Sequence, residues 1–222
     1  MKILSWLKDY WKNHSLVNKT RYKIQAKFLE YFGRAKISKF PPFLYIAPKT
    51  YKLKGFHYYE AIQDLEPGDI LLRGFDDYLD GFFIPGKYSH AGIYVGRTET
   101  GVRQVVHAMT PDVQYTDLVT FMRAERIAVV RPSVLLIDKH KAIEHAKQQI
   151  GKPYDYDFIF EENEVADTRF SCSELIWSSY RHVRKDLGWK LTEKKFAFFA
   201  KRFFEPDKCL TGNVTLIYSA EP

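Results

Sequence analysis

Apolar positions recur at two distinct periods along this chain, and each period predicts its own set of elements. Between residues 65 and 131 the runs are short, β-branched and bounded by turn residues. Ile70-Leu71-Leu72, Tyr88 to Gly96, Arg103 to Ala108 and Arg126 to Arg131 read as strands. Arg97 to Gly101 is a hairpin turn between the second and third, and Asp112 to Asp117 reads as another turn. The helical period appears in Asp138 to Ile150, where Ala142, Ile143, Ala146 and Ile150 share one side, ended by Gly151. It returns after Ser171, where Leu175, Ile176, Tyr180 and Val183 lie three to four residues apart. Val214 to Tyr218 predicts a last strand.

The first part of the chain is different. Ile3, Leu4, Trp6, Leu7, Tyr10 and Trp11 alternate with Lys2, Lys8 and Lys12, which predicts a short basic amphipathic helix. A second helix is expected from about Val17 to Phe32, closed by Gly33, and Pro41-Pro42 with Pro48 mark a linker. Residues 1–55 are therefore read as a helical arm and linker, and residues 56–222 as one domain. Charge supports the division: residues 1–56 hold 13 Lys and Arg against 2 Asp and Glu, and the remainder 21 against 25. Such an arm packs on the core or lies on an anionic membrane surface through residues 1–32. The basic residues join no nucleic-acid recognition motif, and nucleic acid is not an expected partner.

The chain has 222 residues, 45% hydrophobic and 16% aromatic, enough for one good core. Two cysteines are too few for a disulfide framework. No run reaches signal-peptide or membrane-span length, so a cytoplasmic location is the default expectation.

The chemistry centres on Ser171-Cys172-Ser173-Glu174. Ser171 is a good N-cap and Glu174 completes a capping box, so Cys172 falls in the first turn of its helix. Free N–H groups and the positive end of the helix dipole favour an anion there, which predicts a thiol with a lowered pKa. The alternative is an inert buried cysteine. His90 opens one strand and His107 lies on the next, close enough in a hairpin to share a proton. His, His and Cys also suit zinc, but the short-range ligand pairing of common zinc motifs is missing, and neither metal nor cofactor is expected. His140 and His145 read as solvated, and Cys209 as an inert loop residue.

Four blocks then line up: Pro67-Gly68-Asp69-Ile70-Leu71, Ser89-His90-Ala91-Gly92-Ile93-Tyr94-Val95-Gly96, Gly151-Lys152-Pro153-Tyr154-Asp155 and Cys172-Ser173-Glu174-Leu175. In order and approximate spacing they resemble the permuted papain-like hydrolases of the NlpC superfamily, YiiX/YaeF group, with lecithin:retinol acyltransferases as more distant relatives. The resemblance covers about residues 62–185 and leaves the arm unmatched. It implies an α+β, circularly permuted papain-like (NlpC-type) fold, with a small antiparallel sheet packed against the helix that carries the cysteine. It implies Cys172 as nucleophile, His90 as general base and His107 at the place of the orienting residue, where close relatives often carry an acidic side chain. Tyr154, Ser89 and Ser171 are the expected substrate-side residues, with Tyr154 a pocket residue or oxyanion donor. The implied activity is a cysteine amidase or peptidase acting on an amide-containing small molecule or peptide, such as a cell-wall peptide or N-acyl conjugate. A membrane-surface lipid acyltransferase or thioesterase, or a binding module without catalysis, are the alternatives.

Overall fold

A computed structural model describes residues 51–76, 84, 86–156, 168–196 and 199–222, with short backbone stretches at 23–24, 27, 35–39 and 42–46. Of 194–196 and 199–202 the backbone alone is described. Both arm helices and the acidic 161–167 loop fall wholly or mostly outside these residues.

Two strands, β1 (Ala35–Lys39) and β2 (Pro42–Ile46), form an antiparallel hairpin where a linker was expected. Pro42 opens β2 and pairs with the last residue of β1, a strand-end position that a residue without an N–H tolerates. Helix α1 (Gly55–Ala61) follows.

The centre is a six-stranded antiparallel sheet of β3 (Ile70–Gly74), β4 (His90–Arg97), β5 (Arg103–Met109), β6 (Asp112–Asp117), β7 (Arg126–Pro132) and β10 (Val214–Ala220), in the order β10-β7-β3-β4-β5-β6. Residues 112–117 are thus a strand, not the expected turn. Each of them pairs with β5, and Val113 supplies its buried position. Ile70 to Gly74 is buried throughout because both faces of the sheet are covered, which explains the apolar run Ile70-Leu71-Leu72.

One face carries α3 (Leu136–Gln148) and α4 (Cys172–Ser179) over Ile70, Leu72, Ala91, Ile93, Val106 and Val130. The other buries Leu71, Tyr94, Val105, Ile127 and Val129 under Ala61 and the short α2 (Leu118–Phe121). Each fully buried Leu, Ile or Phe contributes roughly 1.5–3 kcal/mol.

Helix α3 presents Ala142, Ile143 and Ala146 to the core as expected, but Ile150 lies past its end and is 37% exposed. Gly151, at φ +83°, takes the left-handed conformation that stops the helix. Helix α5 (Arg184–Leu187) leads to a hairpin of β8 (Thr192–Phe196) and β9 (Phe199–Phe203), then a 3₁₀ turn at Pro206–Leu210. The aromatic stretch before residue 204 is this hairpin.

Candidate active site

The first motif block is an anchor. Asp69, fully buried, accepts two hydrogen bonds from Arg131 at 2.8 Å each and a third from the Glu66 N–H at 2.8 Å. The Tyr180 hydroxyl donates to the Gly68 carbonyl, tying the end of α4 to the start of β3.

The Gly-Lys-Pro-Tyr-Asp block is a guide rail for the cysteine helix. Phe170 N–H donates to Pro153 O at 3.1 Å, Asp155 N–H donates to Phe170 O at 3.0 Å, and Tyr154 bridges Phe170. Two residues later the chain enters α4. Ser171 N–H donates to the Glu174 carboxylate at 2.6 Å, and Glu174 N–H to the Ser171 hydroxyl at 3.4 Å. The predicted capping box is thus complete, and Ser171 spends its groups on it while fully buried.

Cys172 is the first residue of α4 and is 2% exposed. Leu175 and Ile176 seat the helix in the same core as Ala91 and Ile93. The thiol thereby meets the backbone N–H of Ala91, the residue after His90. Its pKa is the reverse of the expectation: burial pushes it up to about 11. The N–H groups of Ala91 and Ser173 and the charge of Arg73 favour the thiolate, but removal of the sulfur from water outweighs them. At neutral pH the resting thiol is protonated.

His90 and His107 meet as predicted, with His90 Nε2 2.7 Å from His107 Nδ1 and the rings edge to face. Burial first, then the Arg73 charge, push the His107 imidazolium down to about 3. The same causes, with His107 added last, hold His90 well below the usual range. At rest the thiol and both imidazoles are therefore uncharged. Because His90 Nε2 faces His107, Nδ1 is its other nitrogen for chemistry. If that nitrogen is a bare acceptor, His90 carries its proton at Nε2 and His107 carries one at its own Nε2.

Gly92 makes the meeting possible. A Cβ there would lie 2.6 Å from Val105 Cγ1, 2.9 Å from Phe121 Cε2 and 3.2 Å from His107 Cβ.

Of the other expected residues, Ser89 is buried and donates its N–H to Arg73 O at 3.1 Å, lengthening the β3–β4 ladder. Tyr154 packs edge to face on Tyr156 with ring centroids 5.0 Å apart. His145 is not solvated: its ring sits among Ser178, Ser179, Gln149 and Arg181 between α3 and α4. Cys209 lies in the 3₁₀ turn, buried, and both cysteines are free. Arg73 and Phe121 were missed. Arg73 closes an apolar strand and reads as its solvent boundary, and only the strand register places it opposite His90.

A family model described as permuted papain-like amidase enzyme, YaeF/YiiX, C92 family, matches residues 64–208, well over half of the chain. The chain belongs to this family. It is 30% identical over 113 residues to the uncharacterized protein YiiX of Escherichia coli K12, which covers 49% of this chain and 50% of that protein. The chain thus spans about half the length of that curated relative. Its fold is similar to the crystal structure of metalloprotein YiiX from Escherichia coli O157:H7, with a TM-score of 0.56 and 21% identity over 71% of this chain and 98% of that one. The α+β, permuted papain-like fold read from the motifs is the fold of the molecule. Among the described residues, no helix is long and apolar enough to cross a membrane.

Proposed function

We propose that the protein is a cysteine amidase in which Cys172 attacks an amide carbonyl, His90 acts as general base and His107 orients it. The observation that carries this reading is the seat of the Cys172 thiol. It lies at a doubly capped helix start, on the N–H of the residue next to a histidine whose ring is held at 2.7 Å by a second histidine. Membership in a family of permuted papain-like amidases supports it.

As the sulfur–carbon bond forms, the thiol proton passes to His90 Nδ1 and the carbonyl electrons move onto oxygen. N–H groups of the first turn of α4, which have no helical acceptor, are the donors for that oxyanion. The same proton then goes to the leaving amine as its bond to carbon breaks, and water repeats the sequence on the acyl-enzyme. The substrate class this suits is a peptide or N-acyl conjugate.

The YiiX neighbour is described as a metalloprotein. The residues of this site do not fit a metal. Among the described residues, no group of three or more His, Cys, Asp or Glu side chains is placed to hold one. His90 and His107 turn a nitrogen each toward the other, and the nearby Arg73 charge opposes a dication. No step proposed here runs through a metal.

The test uses full-length Cys209→Ala protein with and without His90→Ala. Iodoacetamide alkylation of Cys172 is followed by peptide mass spectrometry from pH 6 to 10, beside a screen of short cell-wall peptides, N-acyl amino acids, esters and thioesters. Alkylation is expected to keep rising above the ordinary thiol range of about 8.5, and His90→Ala to lower the neutral-pH rate by at least about tenfold. At least one amide should be cleaved, with loss of cleavage in Cys172→Ala. A Cys172 indifferent to His90→Ala, with no amide cleaved, overturns the reading.

A further inference from the structure

Arg73 belongs to none of the four motif blocks, yet it stands beside the histidine pair. The β3–β4 register sets Arg73 directly opposite His90, so the two side chains leave the same face of the sheet as neighbours. The residue is 8% exposed. Its guanidinium lies over the Phe121 ring, 4.7 Å from the centroid, donating from Nη1 to the Phe121 carbonyl at 3.1 Å and from Nη2 to Met109 Sδ at 3.3 Å. The Phe121 ring is also 5.7 Å from the His90 ring and 5.5 Å from that of His107. One aromatic side chain thus gathers a clamped cation and both imidazoles, and Gly92 gives it the room.

We propose that Arg73 is a positioning residue of the candidate active site, a clamped cation that keeps the His90–His107 pair uncharged at rest and offsets the charge of the Cys172 thiolate as it forms. The proposal rests on the reading of Cys172 as nucleophile and His90 as base.

A fixed positive charge acts on the two partners with opposite consequences. It opposes an imidazolium and favours a thiolate. Among the described residues, the charged or titratable groups that act on His90 are Arg73 from β3 and His107 from β5, while Arg73 and, from within α4, Glu174 act on the Cys172 thiol. Helix α2 contributes the uncharged Phe121 ring. The Arg73 charge pulls downward at His90, His107 and Cys172 alike. A permanent thiolate–imidazolium pair is thereby disfavoured, because Arg73 already supplies the cation. The imidazole stays a free base until substrate arrives, and the proton it takes is held against the Arg73 charge, which hastens its release to the leaving group.

The experiment is a pH titration of histidine-labelled full-length protein by NMR, with His90 and His107 assigned through single His→Gln variants, alongside Cys172 alkylation in a Cys209→Ala background. In Arg73→Met both imidazole titrations should move up by at least one pH unit, and Cys172 alkylation at pH 8 should slow by about tenfold. Arg73→Lys, which keeps the charge without the fork, should restore both to within about threefold. Phe121→Leu, which loosens the clamp and leaves the charge, should move the imidazoles part of the way in the same direction, and serves if Arg73→Met does not fold. Imidazole titrations unmoved in folded Arg73→Met, or in Phe121→Leu where that variant stands in, overturn the proposal. The two readings fail separately. A Cys172 indifferent to His90→Ala defeats the nucleophile assignment, whereas a reactive, His90-dependent Cys172 with unmoved imidazoles defeats the role of Arg73 alone.

Discussion

Cys172 and Cys209 are both free and both buried, and burial is the largest influence pushing each thiol up. Their surroundings differ in balance. Around Cys172 the N–H groups of Ala91 and Ser173 and the Arg73 charge work against burial, and the Glu174 charge adds to it. Around Cys209 the Asp207 charge and, once it ionises, the Cys172 thiolate add to it, opposed by a backbone contact within its own residue, and the thiol is driven well above the ordinary value. Burial alone makes a cysteine inert. On the proposed reading, N–H donors at a buried sulfur and a positive charge nearby leave a thiol that a base can activate.

The sharpest way to break this comparison is to remove each sulfur in turn. Cys172→Ala should cost at least about a thousandfold in hydrolysis of whichever amide the screen identifies, and Cys209→Ala less than about twofold. Equal losses would mean that the two thiols act together and that the contrast in their surroundings is irrelevant.

The second cysteine also shows what a linear reading captures. The capping box at Ser171 and Glu174 was legible because its signal spans four consecutive residues and every partner is local. The hydrogen bond between His90 and His107 was legible because a hairpin fixes which strands are adjacent. Arg73 was not, since β3 and β4 are separated by residues 75–89 and nothing in that stretch reveals their register. The raised pKa of Cys172 was missed for a related reason. The helix start that favours a thiolate can be read locally, but the burial that overrides it depends on Ala91, Ile93 and the rest of a core assembled from distant segments. For the same reason β6 passed for a turn: its pairing with β5, more than its composition, makes it a strand.

Gly92→Ala tests the site through its packing. The added methyl would meet Val105 and Phe121 below 3.0 Å, so something must shift, at a cost of about 1–3 kcal/mol. Urea denaturation should register the loss, and Cys172 alkylation should fall as Phe121 and His107 move while Cys209 is unchanged. Stability within about 0.5 kcal/mol of wild type would show that the strand accommodates the methyl and that Gly92 does not hold the histidines in place.

A smaller effect is expected at the cap. Ser171→Ala removes the acceptor for Glu174 N–H and should cost about 1 kcal/mol. Hydrogen exchange should speed up at the amides of residues 172–174 and not in the turn around Cys209. Uniform acceleration across the protein would mean that the cap stabilises the fold as a whole and has no special hold on Cys172.

The subtlest test is the pH dependence of Glu174. Burial first, then the charge of Asp155, push its carboxyl up to about 8, against the pull of Ser171 and Arg169. The folded value lies above the unfolded one of about 4.3. Between those two values the folded protein binds more protons, so the contribution is fully present below about pH 4.3 and is lost as pH rises toward 8. Glu174→Gln keeps an oxygen to accept the Ser171 N–H and abolishes the titration. Relative to wild type it should gain stability steadily between pH 5 and pH 8. Glu174 keeps part of its surface in solvent, so the gain should be a few tenths to about 1 kcal/mol. Measuring the difference between the two proteins cancels the opposite slope of the histidines, which lose stability as pH falls below about 6.5 because they are held neutral in the folded state. A wild-type-minus-variant difference that stays flat from pH 5 to 8 would place the Glu174 carboxylate in an ordinary solvated setting. The cap of Cys172 would then rest on the Ser171 hydroxyl and the Phe170 bridge alone.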